Sequence, residues 1–178
     1  METLGWRLHD QLPDIDKYLV IGGPHTSNWD FVLGLMCMEA IGLKRVWIGK
    51  HQLFRWPHGW FFRWIGGIPV NRSSSHNFVD QVVEIYDRSE KLAFTMAPEA
   101  TRSKTDHWKT GFYYIARGAG VPILLGYLDY SCKEGGAGPL IHPTGDIEAD
   151  FETIREFYST KRGLNPELAS NVRLKPGP

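Results

Sequence analysis

The chain has 178 residues, of which 42% are hydrophobic, a size and composition typical of one globular domain with a single sizeable core. Its 20 lysines and arginines are balanced by 20 aspartates and glutamates, so the chain has no overall positive field to hold a nucleic-acid backbone. We therefore expect no nucleic-acid partner, and we expect any anion-binding site to be local.

Short apolar runs that end in glycine, proline or polar residues predict buried strands at residues 18–21, 44–48, 68–70, 92–96 and 121–128. The stretches around them carry helix-capping residues or apolar residues at helical spacing, and they predict helices at 28–42, 53–64, 78–86, 111–117 and 150–161. A glycine-rich loop is predicted at 135–138. The alternation of strands and helices indicates βαβ units. The prediction is one α/β domain over residues 1–178, with a mostly parallel sheet flanked by helices.

The cysteines, histidines and apolar runs limit the classes of protein further. Cys37 and Cys132 stand in unrelated contexts, which fits a reducing cytosol and predicts neither a disulfide framework nor a metal site. The seven histidines show no metal-ligand spacing, so no metal is expected. No run approaches the ~18 apolar residues of a spanning helix, and the N-terminal residues do not resemble a signal peptide. We expect a cytoplasmic protein without a hydrophobic anchor.

A histidine and an aspartate stand close together after the first predicted strand. His25 lies in the loop, and Asp30 lies one turn into the following helix, so the two side chains can form a hydrogen bond. Such a bond fixes the imidazole tautomer and stabilises the imidazolium, which is how a base activates a hydroxyl. The pattern alone favours a simpler interpretation, in which His25 caps the helix and Asp30 interacts favourably with the helix dipole.

A polar loop with two cations follows the predicted strand at 92–96. Arg102 and Lys104, with the hydroxyls of Thr101 and Ser103, can surround a phosphate, and Arg72 brings another guanidinium to a strand end. Ligands of α/β proteins bind at such strand ends. Taken singly, the loop also fits a solvated turn, and the arginine fits an ordinary surface residue.

Four segments in order resemble the sequential blocks of the glycerolipid acyltransferase family, which includes the 1-acyl-sn-glycerol-3-phosphate acyltransferases. They are residues 25–30 (HTSNWD), 67–72 (GIPVNR), 98–103 (PEATRS) and 121–124 (VPIL), within a similarity that spans about residues 18–128. Four ordered blocks at compatible spacing are far more specific than any one of them.

The resemblance implies a role for each matching residue. His25 deprotonates the acceptor hydroxyl, and Asp30 orients His25. The implied contacts to the acceptor phosphate are Arg72, Glu99, Thr101, Arg102 and Ser103, with Lys109 as a possible addition. Ala100 stands where the family usually has glycine, and we expect its methyl group to restrict the backbone there.

The implied reaction moves a fatty acyl group from acyl-CoA or acyl carrier protein (acyl-ACP) to the free hydroxyl of a lysophospholipid. The leading acceptor is 1-acyl-sn-glycerol-3-phosphate, which gives phosphatidic acid. Because the thioester is already activated, we expect no cofactor and no covalent enzyme intermediate. Two alternatives stay open: the same chemistry on a lyso-amino-acid lipid or a glycolipid, and a non-enzymatic module that binds a membrane surface.

Residues 53–64 hold three tryptophans, Trp56, Trp60 and Trp64, beside two arginines. This mixture is favoured at the headgroup boundary of a bilayer. An aromatic core helix that lines an internal pocket explains it equally well. The run is short and Pro57 must start, kink or break any helix there, so helical periodicity does not separate the two interpretations. The first interpretation predicts reversible, peripheral association with the inner face of the membrane.

Overall fold

A computed structural model of the chain describes residues 1–43, 46–70 and 75–176. Within these residues, seven strands form one sheet in the order β1-β7-β6-β2-β5-β3-β4. All neighbouring strands are parallel except β6 and β7, which are antiparallel. The strands are β1 (Arg7–His9), β2 (Lys17–Gly23), β3 (Val46–Lys50), β4 (Gly67–Val70), β5 (Leu92–Met96), β6 (Ile123–Asp129) and β7 (Glu134–Ile141).

The helices of the described residues cover both faces of this sheet. They are α1 (Asn28–Ala40), α2 (Gly59–Trp64), α3 (Ser75–Arg88), α4 (Gly111–Gly118) and α5 (Ile147–Ser159). Leu19 and Ile21 of β2 pack in the main core with α3, α4 and α5, whereas Val20 packs in a second cluster with Met38 of α1. Successive side chains of a strand point to opposite faces, so α1 lies on the face opposite α3, α4 and α5. The predicted α/β class with a mostly parallel sheet is confirmed.

Apart from the helix predicted at residues 53–64, the predicted strands and helices are present, with shifted ends. The strand predicted at 44–48 is β3, and its first two predicted residues lie outside the described residues. Residues 53–64 are not one helix. A 3₁₀ turn (His51–Phe54) and α2 are separated at the cis peptide bond between Trp56 and Pro57, so proline breaks the segment.

The predicted loop at 135–138 is wrong, because these residues belong to β7. Glycine at positions 136 and 138 allows atoms of neighbouring elements to approach the backbone of β7 closely. A Cβ atom at Gly136 would lie 2.1 Å from the carbonyl oxygen of His9 on β1, and one at Gly138 would lie 2.5 Å from the ring of Phe157 on α5. β1, a strand of three residues, was not predicted at all. Glycine marks turns and close backbone contacts alike, and the sequence pattern does not separate the two.

The topology places the predicted site at the carboxyl ends of two adjacent parallel strands. Ile21 of β2 lies opposite Met96 of β5, so the loops that follow these strands leave the sheet side by side. These loops carry His25 and Arg102 respectively. None of the helices within the described residues has the length and apolar character needed to cross a membrane.

Candidate active site

The start of α1 holds the Asp30 carboxylate in place. Ser27 caps the helix by accepting a hydrogen bond from the backbone N–H of Trp29. Asp30 Oδ2 accepts hydrogen bonds from the backbone N–H groups of Thr26 at 2.6 Å and Ser27 at 2.7 Å. This reciprocal arrangement is a capping box, and it satisfies N–H groups that the helix itself cannot pair. Asp30 therefore stabilises the start of α1.

The same carboxylate oxygen faces the imidazole of His25. Nδ1 of His25 lies 3.5 Å from Asp30 Oδ2, and the histidine side chain is 23% exposed. The distance exceeds that of an ordinary hydrogen bond. With Nδ1 directed at Asp30, Nε2 is the nitrogen left to accept a proton.

Asp30 carries a buried negative charge. Burial by itself raises the pKa of a carboxyl group, but the interaction with His25 and the hydrogen bonds from Tyr130 and the backbone of Thr26 and Ser27 outweigh it. The pKa of Asp30 is consequently lowered, and the group is ionised near neutral pH. The Tyr130 bond is 2.6 Å long, from the hydroxyl to Asp30 Oδ1. Burial, and then the bond to Asp30, raise the pKa of Tyr130, so this hydroxyl stays protonated and donates.

Glu99 lies behind the histidine loop. Its side chain is 2% exposed, and its Oε1 accepts a hydrogen bond of 2.5 Å from the backbone N–H of His25. Its Oε2 accepts one of 3.3 Å from the backbone N–H of Ser170. Burial raises the pKa of Glu99 against the opposing effect of these donors. These contacts do not support the predicted role of Glu99 as a phosphate contact, because both oxygens are bound to backbone groups. They instead position the loop that carries His25.

A C-terminal segment, residues 160–176, packs against both loops of the site. Asn165 donates from its backbone N–H to Thr26 Oγ1 at 3.1 Å and from its side chain to the carbonyl oxygen of Thr26 at 3.0 Å. The approach is close, since a Cβ atom at Gly163 would lie 2.5 Å from Thr26 Oγ1. This segment therefore holds Thr26 directly and His25 through Glu99.

The predicted phosphate-binding loop reaches the start of α1. The exposed guanidinium of Arg102 donates a hydrogen bond to Asn28 Oδ1. The backbone N–H of Ser103 bonds to Thr101 Oγ1, and the Ser103 side chain is exposed. Thr101, Arg102 and Lys109 line the cleft at which His25 lies, whereas Ser103 does not. The predicted contact Arg72 lies outside the described residues.

The cleft has a volume of about 1350 Å³ and is mostly apolar. It runs between α1 and the sheet, and its walls include Leu35, Met38 and Leu124. The glycines at positions 22 and 34 keep it open, because a Cβ atom at either would meet nothing within 4 Å. A single drug-sized ligand needs roughly 300 to 1,000 Å³, so the space is sufficient for a long apolar chain beside a second molecule.

A family model described as Acyltransferase matches residues 7–124, which is more than half of the chain. The chain belongs to this acyltransferase family. The match confirms the family predicted from the four sequence blocks, all of which lie inside it. No curated protein matches the sequence.

One solved structure with a similar fold is that of the 1-acyl-sn-glycerophosphate (LPA) acyltransferase, PlsC, from Thermotoga maritima. The TM-score is 0.58 and the identity is 19%, and the match covers 85% of this chain and 66% of that one. At such low identity the likeness shows the fold. This acyltransferase thus spans about two thirds of the length of that protein.

Ala100 adopts the conformation that glycine at this family position would allow. Its φ angle is 56°, in the left-handed region that costs a residue with a side chain roughly 1 to 2 kcal/mol. The methyl group therefore does not keep the backbone out of this region, as we expected it to, but it makes the conformation strained. Ala100 also lines the cleft, as Arg102 does, so the strained residue lies at the cleft of this acyltransferase.

Three supporting residues, Tyr130, Asn165 and Ser170, were not found from the sequence. Their partners lie 100, 139 and 71 residues away along the chain. No local pattern links residues at such separations. Only the fold of this acyltransferase brings them to the His25 loop and to Asp30.

Proposed function

We propose that the protein transfers a fatty acyl group from a thioester to the free hydroxyl of a lysophospholipid, with 1-acyl-sn-glycerol-3-phosphate as the leading acceptor. The observation that carries this proposal is the charged, buried Asp30 facing His25 at the polar end of a large apolar cleft. Family membership supports the acyl transfer. The activity of the Thermotoga maritima protein supports the acceptor.

In this mechanism His25 Nε2 removes the proton of the acceptor hydroxyl, and the Asp30 charge stabilises the imidazolium that forms. The hydroxyl oxygen attacks the thioester carbonyl and forms an oxygen–carbon bond. The tetrahedral intermediate then collapses, the carbon–sulfur bond breaks, and the leaving thiolate takes the proton from His25. The products are the acylated lipid and a free thiol, and no cofactor or covalent enzyme intermediate takes part.

The cations beside the cleft suit a phosphate on the acceptor. Arg102 and Lys109 line it, together with Thr110 and Gly111 at the start of α4. Backbone N–H groups and the positive end of the helix dipole favour an anion at such a position. The apolar walls suit the fatty acyl chain. Both acyl-CoA and acyl-ACP remain candidate donors, since each presents the same thioester.

Acceptor and product are membrane lipids, so we place the reaction at a membrane surface, with the protein peripheral to the inner face. The competing acceptors are a lyso-amino-acid lipid and a glycolipid. The exposed position of Arg102 favours a charged head over a neutral one, because an arginine in solvent still binds phosphate in two-pronged fashion.

The decisive experiment incubates the purified protein with a panel of lysolipids and both donors, and identifies the products by mass spectrometry. We expect phosphatidic acid from 1-acyl-sn-glycerol-3-phosphate, and a loss of about 100-fold to 10,000-fold in rate for His25→Ala. His142→Ala, which changes an exposed histidine, is the matched control. Product from another lysolipid alone would reassign the acceptor. No product from any acceptor, with vesicle binding intact, would indicate the binding module instead.

A further inference from the structure

Three tryptophans of residues 53–64 project into solvent. Trp56 is 93% exposed, Trp60 is 71% exposed and Trp64 is 75% exposed. We call these three residues the tryptophan ridge. The core-helix interpretation is wrong for them, because their side chains point away from the protein interior. Large apolar side chains exposed together indicate a surface that another phase or molecule covers.

The ridge stands on a rigid base. Phe54 is buried, and the Arg63 guanidinium lies 5.6 Å from the centre of its ring. The same guanidinium donates hydrogen bonds to the carbonyl oxygens of Phe54 at 3.3 Å and Gly59 at 3.4 Å. Gly59 itself leaves no room for a side chain, since a Cβ atom there would lie 2.0 Å from the Phe54 oxygen. The exposure of the tryptophans is therefore built into the packing of the segment.

A chain of ring contacts joins the ridge to the cleft. From the cleft outward, Phe31 contacts Trp47 with ring centres 5.8 Å apart, and Trp47 contacts Phe62 at 6.0 Å. Phe62 contacts Phe61 at 5.7 Å, and Phe61 contacts Trp64 at 6.2 Å. Phe31 and Trp47 line the cleft. An apolar path thus leads from the cleft to the ridge.

Helix α1 extends the same face. Residues 31–38 contain only apolar residues and glycine, so the helix has no polar side to present to water. Yet Phe31, Val32 and Met36 are exposed, as is Trp29 at the helix start. A helix that is apolar on all sides is ordinarily covered by protein or lipid. In the described residues its outer face is uncovered.

The sequence around the ridge carries a net positive charge although the whole chain is neutral. Residues 40–79 contain six of the 20 lysines and arginines and none of the 20 aspartates and glutamates, which leaves 14 cations against 20 anions elsewhere. Arg55 is exposed beside Trp56. Tryptophan at headgroup depth with cations beside lipid phosphates is the usual composition of an interfacial surface.

We propose that the tryptophan ridge and the outer face of α1 dock on an anionic lipid bilayer, so that the cleft opens towards the membrane. The proposal extends the proposed function by naming the surface through which a lipid acceptor enters. Its test does not require acyl transfer, so the two can fail separately.

The experiment is flotation of the full chain with vesicles of phosphatidylcholine alone and of an equal mixture of phosphatidylcholine and phosphatidylglycerol. We expect wild type to float with the mixed vesicles and much less with the neutral ones. Replacing Trp56, Trp60 and Trp64 together by glutamine should weaken binding by roughly tenfold or more. Arg55→Gln should weaken it about fivefold, since one cation near an anionic surface is worth about 1 kcal/mol.

Two matched controls replace residues away from this face. One changes Ile15, an exposed apolar residue that precedes β2, to glutamine. The other is Lys175→Gln, which removes an exposed cation next to Leu174, a residue packed on the opposite, α3–α5 side. Both should bind vesicles as wild type does. All variants should keep the wild-type unfolding midpoint, because the changed side chains are exposed.

The tryptophan variant should also retain most of its activity on detergent-dispersed substrate. Wild-type vesicle binding by that variant would overturn the proposal, as would equal losses in the two control variants. The face would instead bind a protein partner if two results came together. Wild type would not bind vesicles, and the tryptophan variant would lose dimerisation or binding to an acidic carrier protein that wild type shows.

Discussion

Asp30→Asn separates the structural role of Asp30 from its role in catalysis. The carboxylate accepts three short hydrogen bonds, from Thr26 at 2.6 Å, Ser27 at 2.7 Å and Tyr130 at 2.6 Å. An asparagine can direct its oxygen at the two backbone N–H groups. Its amide then donates to the Tyr130 oxygen, whose hydroxyl rotates to accept. We therefore expect the variant to fold with the same loop geometry.

The cost to stability follows from the lost charge. A hydrogen bond to a charged group is worth roughly 1 kcal/mol more than a neutral one, so three such bonds amount to at most about 3 kcal/mol, and the cost of burying the charge reduces this figure. Because the pKa of Asp30 is lowered in the folded protein, its contribution is present above the unfolded pKa. It is lost as pH falls through the folded value. The difference between wild type and Asp30→Asn in urea unfolding should thus shrink below about pH 4.

The cost to turnover should be larger. An amide can hold the imidazole of His25, but it cannot stabilise the imidazolium, and the analogous change in a histidine–aspartate pair lowers the rate about 10,000-fold. The assay follows thiol release from the acyl donor at saturating acceptor. Tyr130→Phe is the control, since it removes one donor to Asp30 and keeps the charge, and its loss of rate should be far smaller. If His25→Ala is inactive while Asp30→Asn keeps the wild-type rate, Asp30 only caps α1 and the proposed pair is wrong.

Three further predictions concern the cleft and the loop beside it. Arg102→Ala should raise the Michaelis constant for the phosphate-bearing acceptor roughly tenfold and leave that for an acceptor with an uncharged head unchanged; equal losses would show that Arg102 does not bind the phosphate. Ala100→Gly should raise the free energy of unfolding by up to about 1 kcal/mol, because the strain relieved in the left-handed region exceeds the chain entropy that glycine adds to the unfolded state; a clear loss in urea unfolding would contradict this. Gly34→Leu should lower activity with long-chain donors more than with short-chain ones while stability holds or rises, since glycine costs a helix about 1 kcal/mol. Gly34→Ala is its control, and an equal loss for all chain lengths would remove the acyl chain from this part of the cleft.

The sequence was sufficient to predict the pair His25 and Asp30, because only a short loop and one helix start separate them. It was also sufficient to predict that Arg102 lies in a loop after a strand, where α/β proteins bind ligands, but the pairing of that strand with β2 is known only from the structure. It was not sufficient to predict the direction of Glu99. Whether a side chain after a strand turns inward depends on what lies behind it, and here that is Ser170, 71 residues further along. The prediction of a loop at 135–138 was wrong for a related reason. These glycines lie in β7, where they leave room for His9 and Phe157, which are distant in the sequence.

The family match ends at residue 124, yet the groups that hold the site continue beyond it. Without Tyr130, one oxygen of the buried Asp30 carboxylate would lose its partner, and an unpaired buried charge is costly. Without Ser170, Glu99 would keep only its bond to His25, while burial already raises its pKa. In the proposed mechanism the motif residues supply the chemistry, but their charge states and positions depend on a part of the chain in which no motif was found. Substitutions there should act on turnover through Asp30 and His25, although none of those side chains is expected to touch the substrate.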